Sequence, residues 1–163
     1  MKGVKLLGNR TLVLHNFPDP KAKDDWIVIA VKASALCGSD LNCFYRVDSK
    51  NAYNNNNFIP GHEVAGEIVE VDNAERLKVG NRVLVYPIIG CGSCFYCRNG
   101  NIKYCENSKS IGFDLNGGDA EFLLVPERNL IPIPDDISFE VAALIWDGIC
   151  CNYNITINSQ FRI

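Results

Sequence analysis

Apolar residues in this chain come in short runs set between polar turns. Residues 4–7 and 11–14 form two such runs, with Gly8, Asn9 and Arg10 between them as a hairpin turn. Residues 26–31 (WIVIAV) are apolar and β-branched, and follow the charged stretch at 21–25. Residues 67–71 (EIVEV) alternate, which puts one face inward and the other toward water. Further short strands are expected at 82–86, 122–125 and 130–133, the last ending in the IPIPDD turn. Helical signals are few. A turn or two is expected over 39–45, and Ser138 caps a helix carrying Phe139, Val141, Ala142 and Leu144. The stretch YNNNN at 53–57 is a polar loop, and no internal repeat is present. Many short strands with turns between them predict a mainly β domain, a barrel or a sandwich.

Composition bounds the rest. The 163 residues suit one domain of ordinary size, and 47% hydrophobic content supplies a core. Sixteen basic and nineteen acidic residues are interspersed, for a formal net charge of −3, so there is no electrostatic footprint for nucleic acid or an anionic membrane. No run approaches the roughly 20 apolar residues of a membrane span. The first residues hold neither an apolar core nor a small-residue cleavage site, which predicts a cytoplasmic, reducing setting. There, clustered cysteines mean metal or catalysis rather than disulfides. The sequence contains no G-x-G-x-x-G, hence no dinucleotide-phosphate fingerprint.

Candidate chemistry concentrates in CGSCFYCRNGNIKYC, where Cys91, Cys94, Cys97 and Cys105 follow the spacing C-x2-C-x2-C-x7-C. Four thiols this close along the backbone are able to close round one tetrahedral ion. The residues between them are mostly small, polar or turn-forming and build no apolar face, so a structural zinc lobe over 90–106 is expected. Ferredoxin-type iron–sulfur runs close with x3 and a proline, whereas this one closes with x7 and Glu106.

Three other places carry ligand chemistry: Cys37 in CGSD, His62 and Glu63 in PGHEVAG, and Asp147 in LIWDG. Each has a plainer reading alone: a small core cysteine, a hydrogen-bonded turn histidine, a turn aspartate. Together, Cys37, His62 and Asp147 supply the three protein ligands of an open zinc site, with Glu63 as a spare carboxylate. Asp40 is a candidate partner for the second ring nitrogen of His62. Ser39 is placed to pass on a proton.

These motifs resemble the N-terminal catalytic domain of the zinc-dependent medium-chain dehydrogenase/reductase family, the alcohol and polyol dehydrogenases. The resemblance rests on CGSD at 37–40, GHEVAG at 61–66, VGNRV at 79–83, the four-cysteine lobe, GGDAEF at 117–122 and the approach PDDISFEVAAL toward Asp147. It implies a GroES-like, partly open β-barrel over 1–148. It implies two zinc ions: a catalytic one held by Cys37, His62 and Asp147, and a structural one held by Cys91, Cys94, Cys97 and Cys105. Glu63 matches the residue that approaches zinc during ligand exchange, Asp40 the carboxylate behind the histidine, and Ser39 the start of the proton relay. The implied reaction is oxidation of a small alcohol or polyol to a carbonyl, with zinc as Lewis acid and NAD or NADP as hydride acceptor. Homo-oligomers are the implied full-length form.

The chain departs from the family in several places. Asp72 stands where Gly or Ala is usual, and Asn81 where Asp is usual. After Gly148 the likeness fades, so 149–163 reads as a divergent tail, with Cys151 and Asn152 at positions where a threonine and a small residue are common. The expected Rossmann domain does not follow, and the chain reads as a fragment. Two readings result: the catalytic part of a zinc dehydrogenase, or a zinc-binding β domain inactive alone. Tyr53, Phe58 and Trp146 are candidates for a pocket wall, each equally readable as a packing residue.

Overall fold

The computed structural model describes residues 1–45 and 59–146. Asp147, Tyr53, Phe58, Cys151, Asn152 and the expected tail lie outside them. Strands β1 (Lys2–Gly8) and β2 (Thr11–Asn16) form an antiparallel hairpin. Gly8, Asn9 and Arg10 all take left-handed φ (71°, 47° and 58°), the twist that a tight hairpin turn requires. Five strands make the main sheet, in the order β8-β3-β4-β5-β9, every neighbouring pair antiparallel. They are β3 (Trp26–Ala35), β4 (Glu63–Glu70), β5 (Arg82–Val85), β8 (Phe122–Pro126) and β9 (Leu130–Pro132). A short ladder pairs β6 (Ile88–Ile89) with β7 (Lys109–Ser110). Among the described residues the α-helices are α1 (Gly38–Tyr45), α2 (Phe95–Arg98) and α3 (Phe139–Leu144). None of them is long and apolar enough to cross a membrane.

Alternation sorts side chains to the two faces of the sheet. Ile27, Ile29, Val64, Ile68, Val83, Val85, Leu123 and Val125 fill the main core. Ala65 and Leu84, between them in sequence, turn to the other face and meet Ala142 and Ala143 of α3. Ser138 starts that helix as expected, its Oγ accepting from the Val141 N–H at 3.3 Å.

Strand β3 runs four residues beyond its expected end. Its register against β4 slips between Val31 and Ala33, a β-bulge. Ile29 and Val31 pack on the main core, yet Ala33 and Ala35, of the same parity, pack against α3. The extra residue re-aims everything after it, which brings the end of β3 correctly oriented to Cys37. Strand β4 also starts early, at Glu63 instead of 67, so the GHEVAG motif is largely strand.

Outside the sheet, Glu127 binds the loop before β5. Its carboxylate accepts the N–H groups of Glu75 (3.0 Å), Arg76 (2.8 Å) and Leu77 (2.7 Å). Burial pushes its carboxyl up, but the three donors and the Arg76 charge outweigh that, and the net shift is downward.

Candidate metal centres

In the lobe, α2 begins at Cys94, whose Sγ accepts from the Cys97 N–H at 3.4 Å, and the Cys91 N–H points at Cys105 Sγ at 3.5 Å. Four sulfurs at about 2.3 Å from one zinc stand about 3.8 Å from one another. Cys91 and Cys97 sulfurs are 4.0 Å apart, and all four lie mutually within 4.8 Å. The set fits zinc, and none of the four is in a disulfide. The Cys91 thiol is pulled down to about 6, chiefly by the backbone N–H of Ser93 and then that of Cys94, whereas Cys97 is pushed up to about 11, chiefly by desolvation. Around the sulfurs Phe95, Tyr96 and Tyr104 are exposed, so the lobe has little apolar interior of its own.

The second cluster forms where β3 runs into α1 and meets the start of β4. Cys37 occupies the cap position of α1. The Asp40 carboxylate, in the first turn, reaches back so that Oδ2 accepts the Cys37 N–H at 2.9 Å, the return arm of a capping box. Asp40 Oδ1 lies 3.7 Å from His62 Nδ1, too long for a hydrogen bond but close for charge. One carboxylate therefore fixes the cysteine loop and faces the histidine. Cys37, His62 and Glu63 bring their ligand atoms within 4.8 Å of one another, with His62 and Glu63 buried. Asp40 Oδ1 and Ser39 Oγ are buried and make no hydrogen bond among the described residues. A buried carboxylate oxygen left so calls for a positive neighbour. Sulfur, imidazole and carboxylate donors together also suit zinc. Asp147, the expected third ligand, lies outside the described residues.

His62 borders a cleft of about 190 Å³ lined also by Pro87, Ile88, Ser110, Ile111, Phe113 and Trp146. The Phe113 ring leans on His62, with centroids 4.9 Å apart, and Trp146 stands edge-on to Tyr86 at 4.2 Å. The Asn129 amide donates to the carbonyls of Tyr86 (2.8 Å) and Ile88 (2.9 Å), pinning that wall. Trp146 thus both lines the cleft and packs on Tyr86, the two roles the sequence leaves open for it. Ile88, Ser110 and Phe113 carry no sequence signal, because Ile88 and Ser110 sit on two-residue strands and Phe113 in the turn that follows, none of which leaves a periodic pattern.

The model of the alcohol dehydrogenase GroES-like domain matches residues 23–135. The chain belongs to that family. Its relatives include the uncharacterized zinc-type alcohol dehydrogenase-like protein YphC of Escherichia coli K12, 37% identical over 94% of this chain and 46% of that one. The L-threonine 3-dehydrogenase of Rhizobium johnstonii is 38% identical over 82% of this chain and 39% of the other. Among solved structures, galactitol-1-phosphate dehydrogenase from Escherichia coli superposes with a TM-score of 0.79 at 28% identity, covering 89% of this chain and 41% of that one. The resemblance to zinc-type medium-chain dehydrogenases and the GroES-like fold expected from the sequence are both upheld. This chain spans under half the length of these relatives.

Proposed function

We propose that this zinc-type family member is the catalytic part of an NAD(P)-linked alcohol or polyol dehydrogenase, its domain extending over 1–148. Cys37, His62 and Asp147 hold the catalytic zinc, with Glu63 adjoining. Cys91, Cys94, Cys97 and Cys105 hold a structural one. The observation that carries this reading is the meeting of Cys37, His62 and Glu63, from separate segments, beside the buried Asp40 oxygen and at the wall of an apolar cleft.

Zinc bound there supplies Lewis acidity, which eases loss of the alcohol proton. The chain's own residues do the remainder. Asp40 holds the Cys37 loop by its capping bond and favours a His62 ring oriented with Nδ1 toward it. Ser39, two residues after Cys37, offers a buried hydroxyl as first carrier of the substrate proton. Ile88, Ile111, Phe113 and Trp146 give the cleft beside His62 an apolar wall against which the carbon skeleton of a substrate can pack. The hydride acceptor is NAD or NADP. The substrate is a small alcohol or polyol, the setting the cytoplasm, and the full-length form a homo-oligomer.

A second reading is a zinc-binding β domain without turnover of its own. The absence of G-x-G-x-x-G from the sequence favours it for the chain alone. Titration with NAD and alcohols separates the two, since steady turnover by this chain excludes the second. Elemental analysis of reduced, zinc-grown protein tests the metal assignment common to both. Two zinc ions per chain are expected, and Cys37→Ala or His62→Ala should each lose one with the circular dichroism spectrum kept. One zinc in the parent, or two retained in His62→Ala, refutes the catalytic site.

A further inference from the structure

Asp119 sits in GGDAEF between two segments that lead to the metal cluster. Its main chain is tied on both sides: its N–H donates to Pro60 O at 3.0 Å, and its carbonyl accepts from the Val4 N–H at 2.8 Å. Gly118 N–H adds a bond to Gly61 O at 2.9 Å. The side chain lies directly over Gly61, the residue before His62. A Cβ built on Gly61 would stand 2.5 Å from Asp119 Oδ1, and Gly61 holds φ +94°, a conformation that glycine adopts freely. The same Oδ1 accepts the Ser34 hydroxyl at 2.6 Å.

Ser34 lies three residues before Cys37, opposite Val64 in the β3–β4 register. Cross-strand partners share a face, and it is the bulge between Val31 and Ala33 that gives Ser34 this one. Asp119 therefore touches both approaches to the cluster, the end of β3 on one side and the Gly61 turn on the other. Burial pushes its carboxyl up, the Ser34 hydroxyl opposes that, and the charges of Asp40 and His62 also act on it, which sets it within their field.

We propose that Asp119 is a positioning residue for the Cys37–His62 metal site, acting as a clamp that fixes the separation of the two ligand-bearing segments. This rests on the reading of that cluster as a metal site. Cobalt(II) in place of zinc gives the test, because four thiolates absorb far more strongly in the sulfur-to-metal band than one, so the two sites are read separately in one full chain. Asp119→Ala is expected to weaken cobalt at the one-thiolate site about tenfold, the lower end of the effect of lost support behind a metal ligand, with the four-thiolate band unchanged. Asp119→Asn keeps an oxygen for Ser34 and is expected to hold cobalt like the parent. Ser34→Ala should weaken the same site, and the double variant should fall short of the sum of the two losses. Parent-like binding in both Asp119→Ala and Ser34→Ala overturns the clamp. So does Asp119→Asn matching Asp119→Ala while Ser34→Ala stays normal, since charge alone would then be responsible. If Asp119→Ala fails to fold, Ser34→Ala, which removes one exposed hydroxyl, decides. A parent chain with no one-thiolate band overturns the metal site itself, and the clamp with it.

Discussion

Glu127→Gln offers a quantitative check on how the loop over 75–77 is held. In the parent, Oε1 accepts from Arg76 and Leu77, and Oε2 from Glu75. The amide keeps one oxygen and turns an NH₂ toward the third donor, so one charge-assisted bond becomes a donor–donor contact and two lose their charge. Charge-assisted bonds contribute about 1.5–3 kcal/mol each and are not additive, which puts the net cost at about 2 kcal/mol. For a chain of this length that is about 4–8 °C in melting temperature. The pH dependence follows from the downward shift of the Glu127 carboxyl. A carboxylate bound more tightly in the folded state contributes fully above its unfolded value of about 4.3, and the contribution fades as pH falls through the lower folded value. Parent and variant should differ most at neutral pH and converge in acid. Thermal melts followed by circular dichroism across that range supply the measurement. Equal melting at neutral pH, or a gap that widens in acid, refutes the argument.

Two further substitutions probe the lobe and the sheet. Cys97→Ser should cost one zinc per chain and speed hydrogen exchange over 91–105 while the sheet stays protected, because metal binding is folding free energy for a segment with so little core; unchanged exchange in the lobe would contradict this. Gly66→Ala should destabilise by about 3 kcal/mol in urea titration, since its Cβ would fall 2.3 Å from the Ala30 carbonyl oxygen, a backbone atom with no rotamer to move. Gly38→Ala, whose Cβ would meet no described atom within 4 Å beyond its chain neighbours and its own helix, is the control without a clash and should melt no lower than the parent.

The sequence was most readable where structure is local. The hairpin turn, the Ser138 cap and the lobe each depend on residues within a few positions of one another. The end of β3 was missed because Lys32-Ala33-Ser34-Ala35 lacks an apolar run: the bulge reverses the faces, and small alanines suffice against α3. Pro60 and Gly61 made the start of β4 look like a turn, yet Val64 and Ala65 pair with β3 at once. Cys37, His62 and Glu63 each have a plainer reading along the chain and meet only through tertiary pairing, so their ligand chemistry made them candidates and family likeness strengthened the grouping. Asp119 had no such help. It lies within GGDAEF, and what gives it a role, Ser34 across one segment and Gly61 across another, is invisible to spacing.

The two candidate centres rest on opposite physics. The lobe brings its sulfurs together by sequence proximity and is short of buried apolar surface, so on the proposed reading a metal supplies its order. At the other centre the backbone does the work first. Asp40 caps the Cys37 loop, and close glycine contacts seat the Gly61 turn against 117–119. The ligand atoms are then held by a scaffold whose core, Ile27, Ile29, Val64 and Ile68, is buried independently of any ion. A centre built this way can surrender a ligand position to substrate without losing its shape, which an open catalytic site requires and a closed structural site does not. That difference in support, more than the identity of the ligands, is why turnover is assigned to Cys37 and His62 and rigidity to the four cysteines.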